Sequence, residues 1–175
     1  MFESHFEFDA IGTRWLLDFI VPTKAGAETL FKLVKHRVEN FEETYSRFRT
    51  TSFVSNVAKS AGTYLLPPDA KEMFDLYFEL YSITDGLFTP LIGQSLEEAG
   101  YDASYSLKPK ANISSTPKLE DVLEYSFPNL VVKEKVKMDF GACGKGNIID
   151  IVGEMFRSSA ALEFCIDAGG DILYS

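Results

Sequence analysis

The residues with the most chemical content lie between Met138 and Asp150, in the run Met138-Asp139-Phe140-Gly141-Ala142-Cys143-Gly144-Lys145-Gly146-Asn147-Ile148-Ile149-Asp150. The pattern predicts a strand, a glycine-rich loop over 141–146, and a helix from about Gly146 to Ser158. In such a loop backbone N–H groups approach an anion closely, and the positive end of the following helix adds to the attraction. Lys145 would set a cation beside that anion. Asp139, at the strand end, would orient a polar ligand or help hold a cation. The spacing is neither GxxxxGK followed by Ser or Thr nor GxGxxG. The residues point to a phosphate-bearing ligand; the same stretch also reads as a glycine-rich strand-to-helix turn with a solvated lysine.

Three further segments carry weaker signals. Thr84-Asp85-Gly86-Leu87-Phe88-Thr89-Pro90-Leu91-Ile92-Gly93 is a helix stop, an aromatic and a proline-constrained segment that could present backbone groups to a heterocycle. Alone it reads equally as an ordinary buried loop. Ala168-Gly169-Gly170-Asp171 has the composition of a hairpin turn. Phe48, after the first helix, is a core residue unless a flat ligand calls for a stacking platform. His5 and His36 are the only histidines, and no HExxH, GxSxG or paired-cysteine metal site is present. Cys143 is a nucleophile candidate beside Lys145 with no histidine near it in sequence.

The elements that must position these residues follow from periodicity. Residues 5–11 and 14–21 lean to strand with Gly12-Thr13 between them, giving two strands or one bent strand. Leu30, Phe31, Val34, Val38 and Phe41 recur at steps of three and four, which predicts a helix over about 27–41. Residues 42–67 read as mostly irregular. Pro67-Pro68-Asp69 opens a second helix, lined by Met73, Leu76, Tyr77, Leu80 and Tyr81, which Thr84-Asp85-Gly86 ends. A short helix is expected near 94–99 and a loop beyond it. Alternation over 129–140 predicts a hairpin near Glu134-Lys135. Strands are expected at 163–167 and 172–174, joined by the glycine turn.

Bulk composition excludes several classes. Seventeen basic against 26 acidic residues give a net charge of -9, which repels phosphate backbones and argues against nucleic-acid binding. No apolar run approaches the length of a membrane span, and no basic-then-apolar leader opens the chain. Two cysteines without a CxxC spacing fit reduced thiols in the cytoplasm.

Taken in order, the motifs resemble those of the ApbE family, the FAD:protein FMN transferases. Ala10-Ile11-Gly12-Thr13-Arg14-Trp15 is similar to the family's MGTxW segment. Ser46-Arg47-Phe48, with Ser52 and Asn56, resembles its S-x-aromatic segment. Residues 84–90 resemble TxGxFDP, residues 139–150 resemble DxGxxxKGxxxD, and residues 167–171 resemble NxGGD. The resemblance implies an α+β fold, a mixed sheet with packed helices. It further implies a single ApbE-like domain over 1–175, incomplete at its C-terminus. It implies magnesium-dependent transfer of FMN from FAD to a threonine hydroxyl of an acceptor protein, with release of AMP. By position, the family's FAD contacts fall on Ile11, Phe48, Leu87, Phe88, Thr89, Asp139 and Lys145. Its magnesium contact falls on Ala142, through the backbone carbonyl. Ile11 stands where the family has Met, and Thr89 where it has Asp. The family's later histidine motif and Asp…Thr metal site are absent here. Two rival expectations therefore stand beside transfer: a non-catalytic flavin or nucleotide binder, and a structural α+β module.

Overall fold

The computed structural model describes residues 1–175 as two compact units, one formed by Met1–Glu43 with Cys143–Ser175 and the other by Thr44–Ala142. The class is α+β, as expected, and every strand pair is antiparallel.

The first unit is built on the alternation of the N-terminal residues. Strands β1 (Phe2–Ala10) and β2 (Thr13–Val21) pair in register from Phe2↔Val21 to Ala10↔Thr13. The two-strand alternative is thus the observed one. Beyond β2 lie β6 (Glu163–Ala168) and β7 (Asp171–Tyr174), giving the order β1-β2-β6-β7 with β7 at one edge. Period-two alternation puts Phe6, Phe8, Trp15, Leu17, Phe19, Phe164 and Ile166 on one face. Helix α1 (Lys24–Tyr45) lays Phe31 against Phe6, with ring centroids 4.2 Å apart. Helix α6 (Gly141–Arg157) sets Phe156 5.0 Å from both Phe19 and Phe164. Trp15 is fully buried and donates its indole N–H to the Ala10 carbonyl at 3.2 Å. Full burial of an aromatic such as Trp15 or Phe156 contributes about 2–3 kcal/mol. The opposite face is charged. There His5 bridges Asp18 across the strands at 2.7 Å and Glu7 at 3.0 Å.

The second unit holds the short helix α2 (Phe53–Val57) and strand β3 (Gly62–Leu65), both within the stretch expected to be irregular. Ser52 makes α2 possible: its hydroxyl accepts the Ser55 N–H at 2.9 Å, a cap that five residues need to hold a helical turn. Strand β3 pairs with β5 (Asn129–Val132), which pairs with β4 (Leu123–Ser126), the strand that follows the one-turn helix α5 (Leu119–Val122). The expected hairpin near Glu134-Lys135 is therefore displaced. The turn falls at Phe127-Pro128, and residues 133–140 form no strand. The alternation that suggested a strand over 133–140 records single buried positions, Val136, Met138 and Phe140. Helix α3 (Ala70–Ile83) buries Met73, Phe74 and Tyr77, with Phe74 and Tyr77 5.2 and 5.4 Å from Phe140.

A long excursion between Gly100 and Thr116 has no regular structure. It is tied to helix α4 (Gly93–Glu98) by the Ser95 hydroxyl, which donates to the Ser114 carbonyl at 3.1 Å, by the Lys110 N–H on the Glu98 carbonyl at 2.7 Å, and by the Glu98 carboxylate. Glu98 accepts the Ser114 N–H and the Gln94 amide, each at 2.7 Å, and sits 3.7 Å from the Lys110 ammonium. The Ser114 backbone bond, then the Gln94 bond, hold its carboxyl down at about 2, from 4.5. The pKa is depressed on folding, so the stabilisation is present above 4.5 and is lost as pH falls towards about 2. Glu98→Gln is expected to loosen the excursion at neutral pH. Limited trypsin digestion followed by mass spectrometry should show faster cleavage after Lys110 than in the native chain; equal rates would mean that other contacts hold the segment.

Candidate functional site

Arg47 and Asp139 are 92 positions apart in sequence, yet the guanidinium Nε donates to Asp139 Oδ2 at 2.5 Å. The Arg47 side chain is 7% exposed and that of Asp139 17%. Arg47 Nη2 donates to the Tyr101 carbonyl at 2.7 Å. Nη1 lies 3.9 Å from a Glu97 carboxylate oxygen and makes no hydrogen bond, although it is buried. The guanidinium carbon stands 4.1 Å from the centre of the Phe48 ring, within cation–π range. Phe48 remains 38% exposed, and Tyr105 stacks on it at 5.6 Å.

Asp139 is fixed by its main chain as well. Its N–H donates to the Pro90 carbonyl at 2.7 Å, and the Gly93 N–H donates to the Lys137 carbonyl at 3.2 Å. A Cβ on Gly93 would lie 2.7 Å from that carbonyl, so only glycine permits the approach. The 84–93 segment and the strand end before α6 are thereby held side by side.

Within the 84–93 segment, Asp85 and Gly86 have φ of 50° and 82°, the left-handed stop expected from the sequence. Thr84 Oγ1 accepts the Phe88 N–H at 3.0 Å, which closes the turn. Leu87 is 89% exposed, whereas Phe88 packs against Tyr77 at 5.2 Å. Thr89 caps the 3₁₀ turn Pro90–Ile92, its hydroxyl accepting the Leu91 N–H at 3.2 Å. An Asp there would make the same bond, so Thr for Asp keeps the local fold.

The glycine-rich segment requires a correction. Residues 141–146 are the first turns of α6, not a loop. Three glycines in six residues cost helix propensity of about 1 kcal/mol each, and tertiary fit outweighs it. Asp139 Oδ1 accepts the Gly141 N–H at 2.8 Å, and a Cβ on Gly141 would press on that oxygen at 2.9 Å. The carboxylate also opposes the positive helix end. The first N–H of the expected anion cradle is therefore already occupied. Ala142 lies exposed in the first turn, where its carbonyl enters the helical hydrogen-bond ladder.

In the other unit, Lys145 pairs with Asp171 of the glycine turn at 2.9 Å. That turn also meets the β1–β2 hairpin: a Cβ on Gly169 would fall 2.0 Å from Thr13 Oγ1. The hairpin turn is Ile11-Gly12, with φ of 53° and 69°, and it lines a shallow hollow with Asp9, Arg14 and Glu42. Positive φ at both central residues marks a type I′ turn, which favours Asn-Gly. A β-branched residue there is strained.

The structure thus brings together Phe48, Phe88, Thr89 and Asp139 in one unit through Arg47, Pro90 and Tyr77. It places Ile11 and Lys145 in the other. Sequence reasoning missed Arg47, whose signal was its place between Ser46 and Phe48. It also missed Tyr105, for which no signal was available. No group of three His, Cys, Asp or Glu side chains is arranged to hold a metal.

A model of the ApbE family matches residues 11–175. The chain belongs to the ApbE family. Its fold is that of solved ApbE proteins. A mutant of the flavin transferase ApbE from Vibrio cholerae superposes with a TM-score of 0.83 at 16% identity, covering 98% of this chain and 62% of that one. The apo flavinyl transferase ApbE of Pseudomonas stutzeri gives 0.77 at 16%, over 99% of this chain and 60% of that one. The ApbE protein of Thermotoga maritima gives 0.79 at 18%, over 98% and 58%. This ApbE chain therefore spans about three fifths of the length of the solved relatives it matches. A curated rat protein, mitochondrial 4-aminobutyrate aminotransferase, is 24% identical over 156 residues, 87% of this chain and 29% of that protein. Identity that low over so small a part carries no function here, and the family match and the fold both lead elsewhere.

Relieving the hairpin strain gives a direct test. Ile11→Asn should raise stability by about 1 kcal/mol in urea denaturation, because Asn tolerates the left-handed region that Ile resists. An unchanged or lower midpoint would mean that the Ile11 side chain stabilises the unit by more than its backbone costs.

Proposed function

We propose that this ApbE chain binds FAD and takes part in moving its FMN moiety onto a hydroxyl of an acceptor protein. The observation that carries the proposal is the joining of Phe48 and Asp139 by one buried guanidinium, with the 84–93 segment held to Asp139 through the Pro90 carbonyl. A flat ring and a polar, phosphate-bearing body need that combination of platform, acceptor and cation. Phe48 would stack on a ring of FAD, with Leu87 and Phe88 lending apolar surface. Asp139 would accept from an N–H or O–H of the substrate through lone pairs not used by Arg47 and Gly141. Ile11, Thr89 and Lys145 are assigned as FAD contacts by their places in the family motifs.

The reaction in this proposal balances simply. The oxygen of an acceptor threonine bonds to the phosphorus of the FMN half, the bond from that phosphorus to the bridging oxygen breaks, and AMP leaves. The threonine proton passes to solvent or to a base that these residues do not single out. Such transfer depends on positioning and charge neutralisation more than on a dedicated base. Magnesium belongs to the proposal as the family's metal. Ala142 offers it one main-chain carbonyl at most, and magnesium prefers an octahedron that includes carboxylates and water. These residues alone do not fit the ion, so no step is routed through it.

A second reading is a flavin or nucleotide binder whose affinity ignores magnesium. One experiment separates the two. Incubation with FAD, magnesium and a threonine-bearing acceptor should leave covalent flavin fluorescence on a denaturing gel, and Phe48→Ala should weaken FAD binding about tenfold. FAD binding without label supports the binder; absence of FAD binding overturns both.

A further inference from the structure

We infer that Arg47 is a positioning residue for the substrate, acting through Asp139 and Phe48 at once. The inference rests on the FAD-binding proposal above and deepens it. Arg47 is not needed to fill an apolar core, yet its side chain is 7% exposed. A buried guanidinium has to be paired on several sides, because its desolvation is costly. Three of its sides are accounted for: Nε by Asp139 at 2.5 Å, Nη2 by the Tyr101 carbonyl at 2.7 Å, and the flat face by Phe48 at 4.1 Å. The fourth is not, because Nη1 is buried with no hydrogen-bond acceptor and Glu97 lies 3.9 Å away.

The two side chains that Arg47 orders are the two to which the proposal gives ring stacking and hydrogen-bond acceptance. Asp139 cannot rotate freely, since its other oxygen holds the Gly141 N–H at 2.8 Å. The guanidinium therefore fixes the plane of the carboxylate and sets it relative to the Phe48 ring. Lysine cannot reproduce this, because one ammonium lacks the planar fork that reaches Asp139, Tyr101 and the ring together.

The test is a double-mutant cycle on FAD affinity with Arg47→Lys, Asp139→Asn and the pair, read by quenching of flavin fluorescence. Arg47→Lys keeps the charge, so the unit should fold, and thermal melting checks this. The expected result is about a tenfold loss for Arg47→Lys, a similar loss for Asp139→Asn, and little further loss in the double variant. The induced circular dichroism of FAD at saturation should also change in Arg47→Lys. It should not change in Tyr125→Phe, which removes a hydrogen bond to Asp75 in the same unit. Full affinity in Arg47→Lys, additive losses, or an unchanged dichroism would each overturn the positioning role while leaving FAD binding intact. If the native chain fails to bind FAD, the functional proposal falls and this inference falls with it.

Discussion

A guanidinium withdrawn from water must find partners for nearly all of its polar edge, and that requirement organises the unit formed by residues 44–142. Arg47 draws Asp139 from the far end of the unit and Tyr101 from the base of the 100–116 excursion, and it lies over the Phe48 ring. Removing one member of such a buried pair costs more than the pair contributes, since a lone charge is left behind. The consequence is architectural. Segments that are irregular by themselves acquire fixed positions because each supplies one acceptor to a single donor group.

The remaining contacts extend that constraint outwards. Asp139 binds Pro90 through its own N–H and the start of α6 through its second oxygen. Gly93 permits the close backbone approach that this needs. Thr84 and Thr89 then shape the turn between α3 and Pro90 with their hydroxyls. The chain uses short polar side chains here as substitutes for the regular hydrogen bonding that a non-repetitive segment must largely forgo.

Much of this was legible in the residues. The alternation of β1 and β2, the three-and-four spacing of α1 and α3, and the glycine turn before β7 all have periods or punctuation that local sterics dictate. The order of five motifs was enough to indicate the family. Other features were not legible because their causes are non-local. The helical state of 141–146 depends on Asp139 and on packing, against a propensity that argues for a loop. The hairpin at Phe127-Pro128 was hidden because β5 alternates no more clearly than the irregular stretch after it. The role of Arg47 needed a partner 92 residues away, and no spacing rule reaches that far.

The close meeting of Thr13 and Gly169 has a consequence for how the sequence can drift. With φ of 66° and no room for a methyl beside the threonine hydroxyl, position 169 resists a side chain on two separate grounds, backbone strain and crowding. A smaller residue at 13 would lift only the crowding and leave the backbone penalty in place. The two turns are thus locked to each other asymmetrically: the hairpin can exchange its threonine freely, whereas a side chain at the glycine opposite it meets a backbone penalty even after the crowding is relieved.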